Sequence, residues 1–130
     1  MKSKYFITLL CFLNFGVLAQ TNSGINVIFC NQIGQGKAAT ITLSKEELRK
    51  CDWTILPTDT NSSVVSFKLI LITENNKSKK TEIELKGNVI PMNYRDQILS
   101  ETNKFLIEYI KAKMPDNSIR SLKAITVNIQ

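Results

Sequence analysis

The 130-residue sequence contains no histidine. Histidine is the commonest general base near neutral pH and a frequent zinc ligand, so its absence removes both roles from this chain. Catalytic arrangements of the Ser-His-Asp and Cys-His types are therefore excluded within it. Of the three cysteines, one lies in an N-terminal apolar run, and the other two are too few to close a structural zinc site. No cofactor is expected.

Long apolar runs are also scarce, since only Tyr5–Phe15 qualifies, and it follows Lys2 and Lys4. A basic start, a short apolar segment and small residues at its end are typical of a cleavable secretory signal peptide. The run is shorter than the ~20 residues of a membrane-spanning helix. We therefore expect a signal peptide over residues 1–19, a flexible leader over 20–24 and an exported chain with no membrane span.

The remainder, residues 25–130, is expected to form one domain, because ~100–150 residues is a common domain size. Loss of the predicted signal peptide would lower the formal net charge from +6 to +4, since it carries two lysines and no acidic residue. This mild positive charge favours contact with acidic surfaces. It falls short of the clustered basic residues and stacking aromatics of a nucleic-acid site, so no nucleic-acid partner is expected.

Two cysteines, Cys30 and Cys51, lie outside the apolar run. In an exported protein, an even number of cysteines indicates a disulfide. The alternative is a pair of buried free thiols, because a sequence does not fix the distance between two Cα atoms. We favour the disulfide, which would stabilise the fold by roughly 3 kcal/mol by restricting the unfolded chain.

Short alternating segments separated by turn residues dominate the chain, a pattern typical of a β-sandwich or barrel. The strongest strand signal covers Val64–Thr73, and a polar turn joins it to Thr81–Lys86 in a predicted hairpin. Two more strands, Lys104–Met114 and Ile119–Ile129, flank a predicted turn at Pro115–Asn117. Earlier strands are predicted over residues 25–30, 38–43 and 53–56, with a loop over 31–37. Alternation places Val65, Phe67, Leu69 and Leu71 on one face of their strand. It likewise places Phe105, Ile107 and Tyr109 on one face of theirs.

Two short helices are predicted, at about residues 44–51 and 93–103. Ser44 and Glu47 have the spacing of a capping box, in which each side chain binds the backbone N–H of the other residue. Asn93 is the predicted N-cap of the second helix. The predicted fold class is therefore mostly β, a sandwich with two short helices.

The order of these segments resembles the C-terminal domain of GldM, the periplasmic shaft protein family of gliding motility and type IX secretion in Bacteroidetes. The resemblance covers roughly residues 36–129 and rests on Val64–Leu69, the Gly87-Asn88 break and the hairpin Ile110–Ile125. It implies an immunoglobulin-like β-sandwich of short antiparallel strands, in the periplasm, at the cell surface or secreted. It also implies a non-catalytic module that contacts an envelope or outer-membrane protein. The family's membrane anchor is not carried over, because a predicted signal peptide stands in its place.

Three functional hypotheses follow. The leading one is a non-catalytic, exported protein–protein interaction module of the bacterial envelope, accessory to type IX secretion or gliding motility. The second is an exported β-sandwich that binds a glycan or another small ligand in a cleft near Trp53 or Tyr109. The third is a histidine-free hydrolase that uses Glu82 and Glu84, although their alternation with apolar residues favours simple exposure to solvent.

The candidate interaction patch consists of basic residues around the last predicted hairpin turn, namely Lys111, Lys113, Arg120 and Lys123. On one exposed face they would attract an acidic partner or lipopolysaccharide phosphate. The alternative is that they protect a sheet edge from unwanted strand pairing. Trp53 is predicted to pack in the core near the disulfide rather than to stack on a ligand. The segment Gly34–Lys37 lacks the full spacing of a phosphate-binding loop and is predicted to be a turn.

Overall fold

A computed structural model describes residues 25–34, 36–74 and 79–130, which form two β-sheets arranged as a sandwich with two short helices. The strands are β1 Val27–Phe29, β2 Gln32–Ile33, β3 Thr40–Leu43, β4 Ile55–Pro57, β5 Ser63–Thr73, β6 Lys79–Lys86, β7 Lys104–Lys113, β8 Ile119–Leu122 and β9 Ile125–Ile129. The helices are α1 Lys45–Lys50 and α2 Met92–Glu101. The predicted fold class is confirmed, and its immunoglobulin-like arrangement stays a prediction. The signal peptide and leader predicted for residues 1–24 lie outside the described residues.

The larger sheet has the strand order β3-β9-β7-β5-β6, and β8 also pairs with β7. Its neighbours pair antiparallel, as predicted, except at one edge, where β3 and β9 run parallel. The predicted final strand is divided into β8 and β9, which pair in succession with the two halves of β7. The smaller sheet has the order β2-β1-β4.

Three aromatic rings lie at the centre of the core between the sheets. Phe29 comes from the smaller sheet, Phe105 from the larger sheet, and Trp53 from the connection that precedes β4. Phe29 meets Trp53 and Phe105 edge-on, with ring centroids 6.0 and 5.8 Å apart, whereas Trp53 and Phe105 are stacked at 6.3 Å. Such ring contacts contribute stability beyond the area that they bury. The prediction that Trp53 belongs to the core is confirmed.

A disulfide joins Cys30 and Cys51, with Cα atoms 5.2 Å apart, so the predicted bond is confirmed. Cys30 directly follows β1, and Cys51 is the C-cap of α1. The bond therefore links the smaller sheet to the helix that follows the edge strand β3 of the larger sheet. The backbone N–H of Trp53 also donates a hydrogen bond to the Cys51 sulfur, at 3.2 Å.

The segment predicted as a loop over residues 31–37 contains strand β2. Cys30 and Asn31 form a two-residue turn between β1 and β2, and their φ angles of 51° and 62° are both positive. Two positive φ angles are typical of the tight hairpin turns that match strand twist. Cysteine is not among the residues that usually mark such a turn, so no hairpin was predicted here.

Helix α1 begins with the predicted capping box. The Ser44 hydroxyl accepts a hydrogen bond from the Glu47 N–H at 3.0 Å, and the Glu47 carboxylate accepts one from the Ser44 N–H at 3.0 Å. Leu48 anchors the helix in the core, where it is fully buried. A six-residue helix is too short to persist alone, so its cap and this anchor hold it in place.

We expect Ser44→Ala to lower the free energy of unfolding by about 1 kcal/mol, because one backbone N–H at the start of α1 loses its partner. Urea unfolding monitored by circular dichroism measures the change. Ser44→Thr retains a hydroxyl acceptor and is the matched control. An alanine variant as stable as the threonine variant would contradict the capping role.

The second helix begins earlier than predicted, and its N-cap is Pro91 rather than Asn93. Pro91 has φ −63°, and its carbonyl oxygen accepts hydrogen bonds from the N–H groups of Tyr94 and Arg95. Proline restricts φ to a value that suits a helix start, and it therefore sets the first turn without a side-chain cap. Asn93 lies within the helix.

An extra residue in β5 reverses its predicted faces near the start of the strand. Val64 pairs with Ala112, but Ser66 pairs with Lys111. An advance of two residues along β5 therefore corresponds to an advance of only one residue along β7. This β-bulge leaves Val65 exposed and Val64 buried. The prediction that Val65 shares a face with the buried residues of β5 is wrong, because alternation holds only where no residue is inserted.

A second bulge lies on β7. Ser66 and Lys68 on β5 pair with Lys111 and Glu108, so β7 contains one more residue than β5 between these pairs. Tyr109 lies there with φ 50°, and 66% of its surface is exposed. The prediction that Tyr109 shares a face with the buried residues Phe105 and Ile107 is therefore wrong.

Candidate interaction surface

The outer face of the larger sheet, opposite the core, carries rows of side chains that are paired across its strands. One row crosses β6, β5, β7 and β8 in the order Lys86, Ser66, Lys111 and Ser121. Directly paired residues project to the same face, and neighbouring strands are about 4.8 Å apart. The row therefore presents two ammonium groups and two hydroxyl groups, with no carboxylate between them.

A third lysine continues this region toward the end of β7. Lys113 pairs with Ser63 on β5 and with Ile119 on β8. We call five of the polar residues of these rows the basic end, namely Ser66, Lys86, Lys111, Lys113 and Ser121. Among the described residues, the ion pairs are formed by lysines outside the basic end. Within this part of the chain, the ammonium groups of the three basic-end lysines therefore have no carboxylate within 4.0 Å.

The neighbouring row contains two carboxylates and one lysine. Lys68 lies between Glu84 and Glu108 in the register, and its Nζ contacts the Glu82 carboxylate at 2.5 Å. The hydrogen bond to Glu82 raises the pKa of Lys68, and the same bond lowers the pKa of the Glu82 carboxyl group. Lys68 also lies 5.4 Å from the centre of the Tyr109 ring, within cation–π range.

A shallow concavity of about 520 Å³ opens where the β7 bulge projects Tyr109 beside these rows. Its lining includes Ser66, Lys68, Glu84, Lys86, Tyr109 and Lys111. It is the place on this face where an exposed aromatic ring adjoins unpaired cations. Trp53, in contrast, is 3% exposed, and it packs under the Arg95 guanidinium, which lies 5.9 Å from its ring.

The four basic residues predicted as one patch do not share one face. Lys111 and Lys113 lie together on the outer face. Arg120 pairs with the buried residue Ala112, so the register places it on the opposite face of the sheet. Lys123 is exposed in the connection between β8 and β9.

Sequence reasoning missed Lys86, which belongs to another hairpin. Only the pairing of β5 with both β6 and β7 brings Lys86 and Lys111 into one row. The sequence does show that Glu82, Glu84 and Lys86 alternate with apolar residues on β6 and therefore face outward. Without the register of β7, that alternation does not reveal which side chains lie opposite.

The turn that precedes β8 contains Asp116, whose carboxyl group is affected by the charge of Arg120. Asp116 accepts hydrogen bonds from the Ser118 hydroxyl at 2.6 Å and from its N–H at 2.9 Å. These bonds, and to a lesser degree the charge of Arg120, lower the pKa of Asp116. Asn117 has φ 70°, which asparagine tolerates, so the predicted turn chemistry is confirmed.

The carboxylates of the hydrolase hypothesis, Glu82 and Glu84, are both exposed on the outer face, as their alternation predicted. Glu82 contacts two lysines, Lys68 and Lys80, the second at 3.4 Å. Its lowered pKa keeps it ionised, which suits an ion pair better than proton donation at neutral pH.

We expect Glu82→Gln to destabilise the fold at pH 7 but not in acid. The pKa of Glu82 is lower in the fold than its ordinary value of 4.5, so its ion pairs stabilise the protein above that pH. The contribution is lost as pH falls through the lowered pKa. Urea midpoints at pH 7 and in acid measure the change, and Glu84→Gln is the control because Glu84 forms no ion pair with any described residue. A difference between wild type and Glu82→Gln that is independent of pH would contradict this.

Comparisons with known proteins do not identify a family. No protein-family model matches the chain, and a search of curated proteins finds no match. The resemblance to the GldM C-terminal domain therefore rests on the sequence motifs alone. In the described part of the chain, no group of three or more cysteine, aspartate or glutamate residues is placed to hold a metal ion. None of the helices in that same part is long and apolar enough to cross a membrane.

Proposed function

We propose that this protein is a non-catalytic interaction module of the bacterial envelope. It is exported to the periplasm or the cell surface, or secreted, and it assists type IX secretion or gliding motility by contacting an envelope or outer-membrane protein. The single observation that carries the proposal is the basic end of the outer face, where three lysines have no ion-pair partner within the described residues. The GldM-like motifs suggest the system in which the contact is made.

Export is supported by the disulfide between Cys30 and Cys51. Disulfides persist in oxidising compartments and are rare in the bacterial cytoplasm. The bond ties the end of strand β1 to the end of helix α1 in a domain of modest size, where one covalent link is a substantial part of stability. A disulfide and a predicted signal peptide are independent features that favour the same location.

Contact through the outer face fits the way in which the sandwich is built. The core side chains lie between the sheets, so the outer face is free to carry charge without loss of packing. Strands hold their side chains at fixed spacing, which gives a partner a defined pattern of groups to match. Complementary charge would speed association and select the partner, while exposed aromatic and apolar groups would slow its release.

In-cell photo-crosslinking tests the proposed function. A photoreactive amino acid replaces Tyr109 on the outer face or, as the control, Leu56, which is exposed on the smaller sheet. We expect an envelope protein of the secretion or gliding machinery to be captured from position 109 and not from position 56. Recovery of the protein alone from both positions, in its native cells, would contradict the proposal.

A second candidate function is the binding of a glycan or another small ligand. The exposed Tyr109 ring beside the 520 Å³ concavity favours it, because sugars stack on exposed aromatic rings. A glycan array with the wild-type protein and with Tyr109→Ala tests this candidate. A ligand that binds the wild type and is lost in the variant would support it, and intrinsic fluorescence is a poor readout because Trp53 is buried.

A further inference from the structure

We infer that the basic end binds an extended acidic segment of the partner protein. This inference rests on the proposed function and gives that function a partner chemistry. Lys86, Lys111 and Lys113 supply positive charge on one face, and Ser66 and Ser121 supply hydroxyl donors beside them. Each of the five side chains of the basic end is thus a donor for the carboxylates of an acidic chain.

The charge on the outer face is divided between two regions. Toward the other end of β5, the lysines are matched, since Lys68 and Lys80 contact Glu82, and Lys104 contacts Glu74 at 3.7 Å. Within the described residues, the basic-end lysines have no such contact, and all three are exposed. An acidic segment would therefore gain attraction at the basic end without displacing an existing ion pair.

The spacing of the lysines fits carboxylates on an extended chain. Lys111 and Lys113 lie two residues apart on one face of β7, which corresponds to about 6.7 Å, and alternate side chains of an extended peptide recur at the same interval. Lys86 lies two strand spacings from Lys111, or roughly 9.6 Å. The cations are thus spread out rather than gathered around one point. A compact phosphate is better matched by an arginine fork, and the basic end contains no arginine.

Apolar groups border the basic end and extend the contact. Val65 is 36% exposed, Tyr109 is 66% exposed and Ile119 is 54% exposed. The two bulges place Val65 and Tyr109 beside the basic end, and the pairing with Lys113 places Ile119 there. Exposed tyrosine is a frequent anchor in protein interfaces. The segment that fits best therefore combines acidic residues with apolar ones.

Binding of defined peptides to the purified protein tests the inference. A labelled twelve-residue peptide of alternating glutamate and threonine is compared with its glutamine counterpart by fluorescence polarisation. We expect the glutamate peptide alone to bind, with an affinity that falls as salt rises, because exposed charges are screened. Equal binding of the two peptides would overturn the inference.

Charge-matched variants locate the site. Lys86→Glu/Lys111→Glu should weaken binding of the glutamate peptide at least about tenfold. Lys37→Glu/Lys45→Glu changes the net charge equally at exposed positions outside the basic end, and it should weaken binding less than about threefold. An equal loss in both variants would show a general charge effect and overturn the site. Lys86→Gln/Lys111→Gln repeats the test without adding negative charge if the first variant folds poorly.

Two further probes distinguish other anions. Binding of inorganic phosphate or of phosphatidylglycerol vesicles that competes fully with the peptide would assign the basic end to phosphate instead.

In native cells, capture of the same partner by wild type and by Lys86→Glu/Lys111→Glu would leave the proposed function standing and overturn the inference. No capture by the wild type, with peptide binding intact in the purified protein, would overturn the proposed function alone.

Discussion

Replacing Phe105 with alanine is expected to lower the free energy of unfolding by about 3–5 kcal/mol. Phe105 is fully buried, and its ring contacts both Phe29 and Trp53. Strand β7 is held on both sides, by β5 and by β9, so its backbone cannot move inward to fill the space. The loss therefore includes a cavity between the sheets in addition to the lost burial of the ring.

Urea unfolding followed by the fluorescence of Trp53 measures this loss, because the only tryptophan of the chain lies against the substituted ring. Leu56→Ala is the control. Leu56 is 43% exposed on the smaller sheet, and its loss should cost less than about 1 kcal/mol. If the two variants lose similar stability, Phe105 is not at the centre of the core as described.

Much of the fold follows from local patterns in the sequence. The β5–β6 hairpin was predictable because Ile83 and Leu85 alternate with charged residues, and they are the residues of β6 that pack against the core. The capping box of α1 was predictable because its two partners lie three residues apart. Each of these features depends on neighbours in the chain, and the fold does not override them.

The features that the sequence did not reveal depend on distant pairing. The bulges at Val65 and Tyr109 insert one residue each in opposite strands, so the register of β5 with β7 recovers after them. A local period cannot show where a residue is inserted, because the strand remains apolar and alternating on each side. The parallel pairing of β3 with β9 is likewise set by packing between segments far apart in the chain.

The candidate site was partly predictable for the same reason. Lys111 and Lys113 share a face because they lie two residues apart in one strand, which a sequence shows directly. Arg120 falls on the other face because the hairpin register pairs it with Ala112. Lys86 joins the site through two successive pairings, from β6 to β5 and from β5 to β7. The count of basic residues was thus a poorer guide than the register that arranges them.

Loss of the disulfide, through Cys30→Ser/Cys51→Ser, is expected to lower the free energy of unfolding by about 3 kcal/mol. The two cysteines are 21 residues apart, and without the bond the unfolded chain regains the conformations that this closed loop forbids. Small domains have net stabilities of roughly 5–15 kcal/mol, so the bond supplies a substantial fraction. The native protein should accordingly unfold at lower urea concentration after reduction.

Urea unfolding of wild type and double variant, each with and without dithiothreitol, measures the contribution. Reductant should lower the midpoint of the wild type toward that of the variant and leave the variant unchanged. Intact mass of the wild type should rise by two hydrogens on reduction. Equal midpoints, or no change in mass, would contradict a bond that stabilises the native protein. The expected difference would also mean that part of the stability of the fold depends on an oxidising compartment, which connects its stability to export.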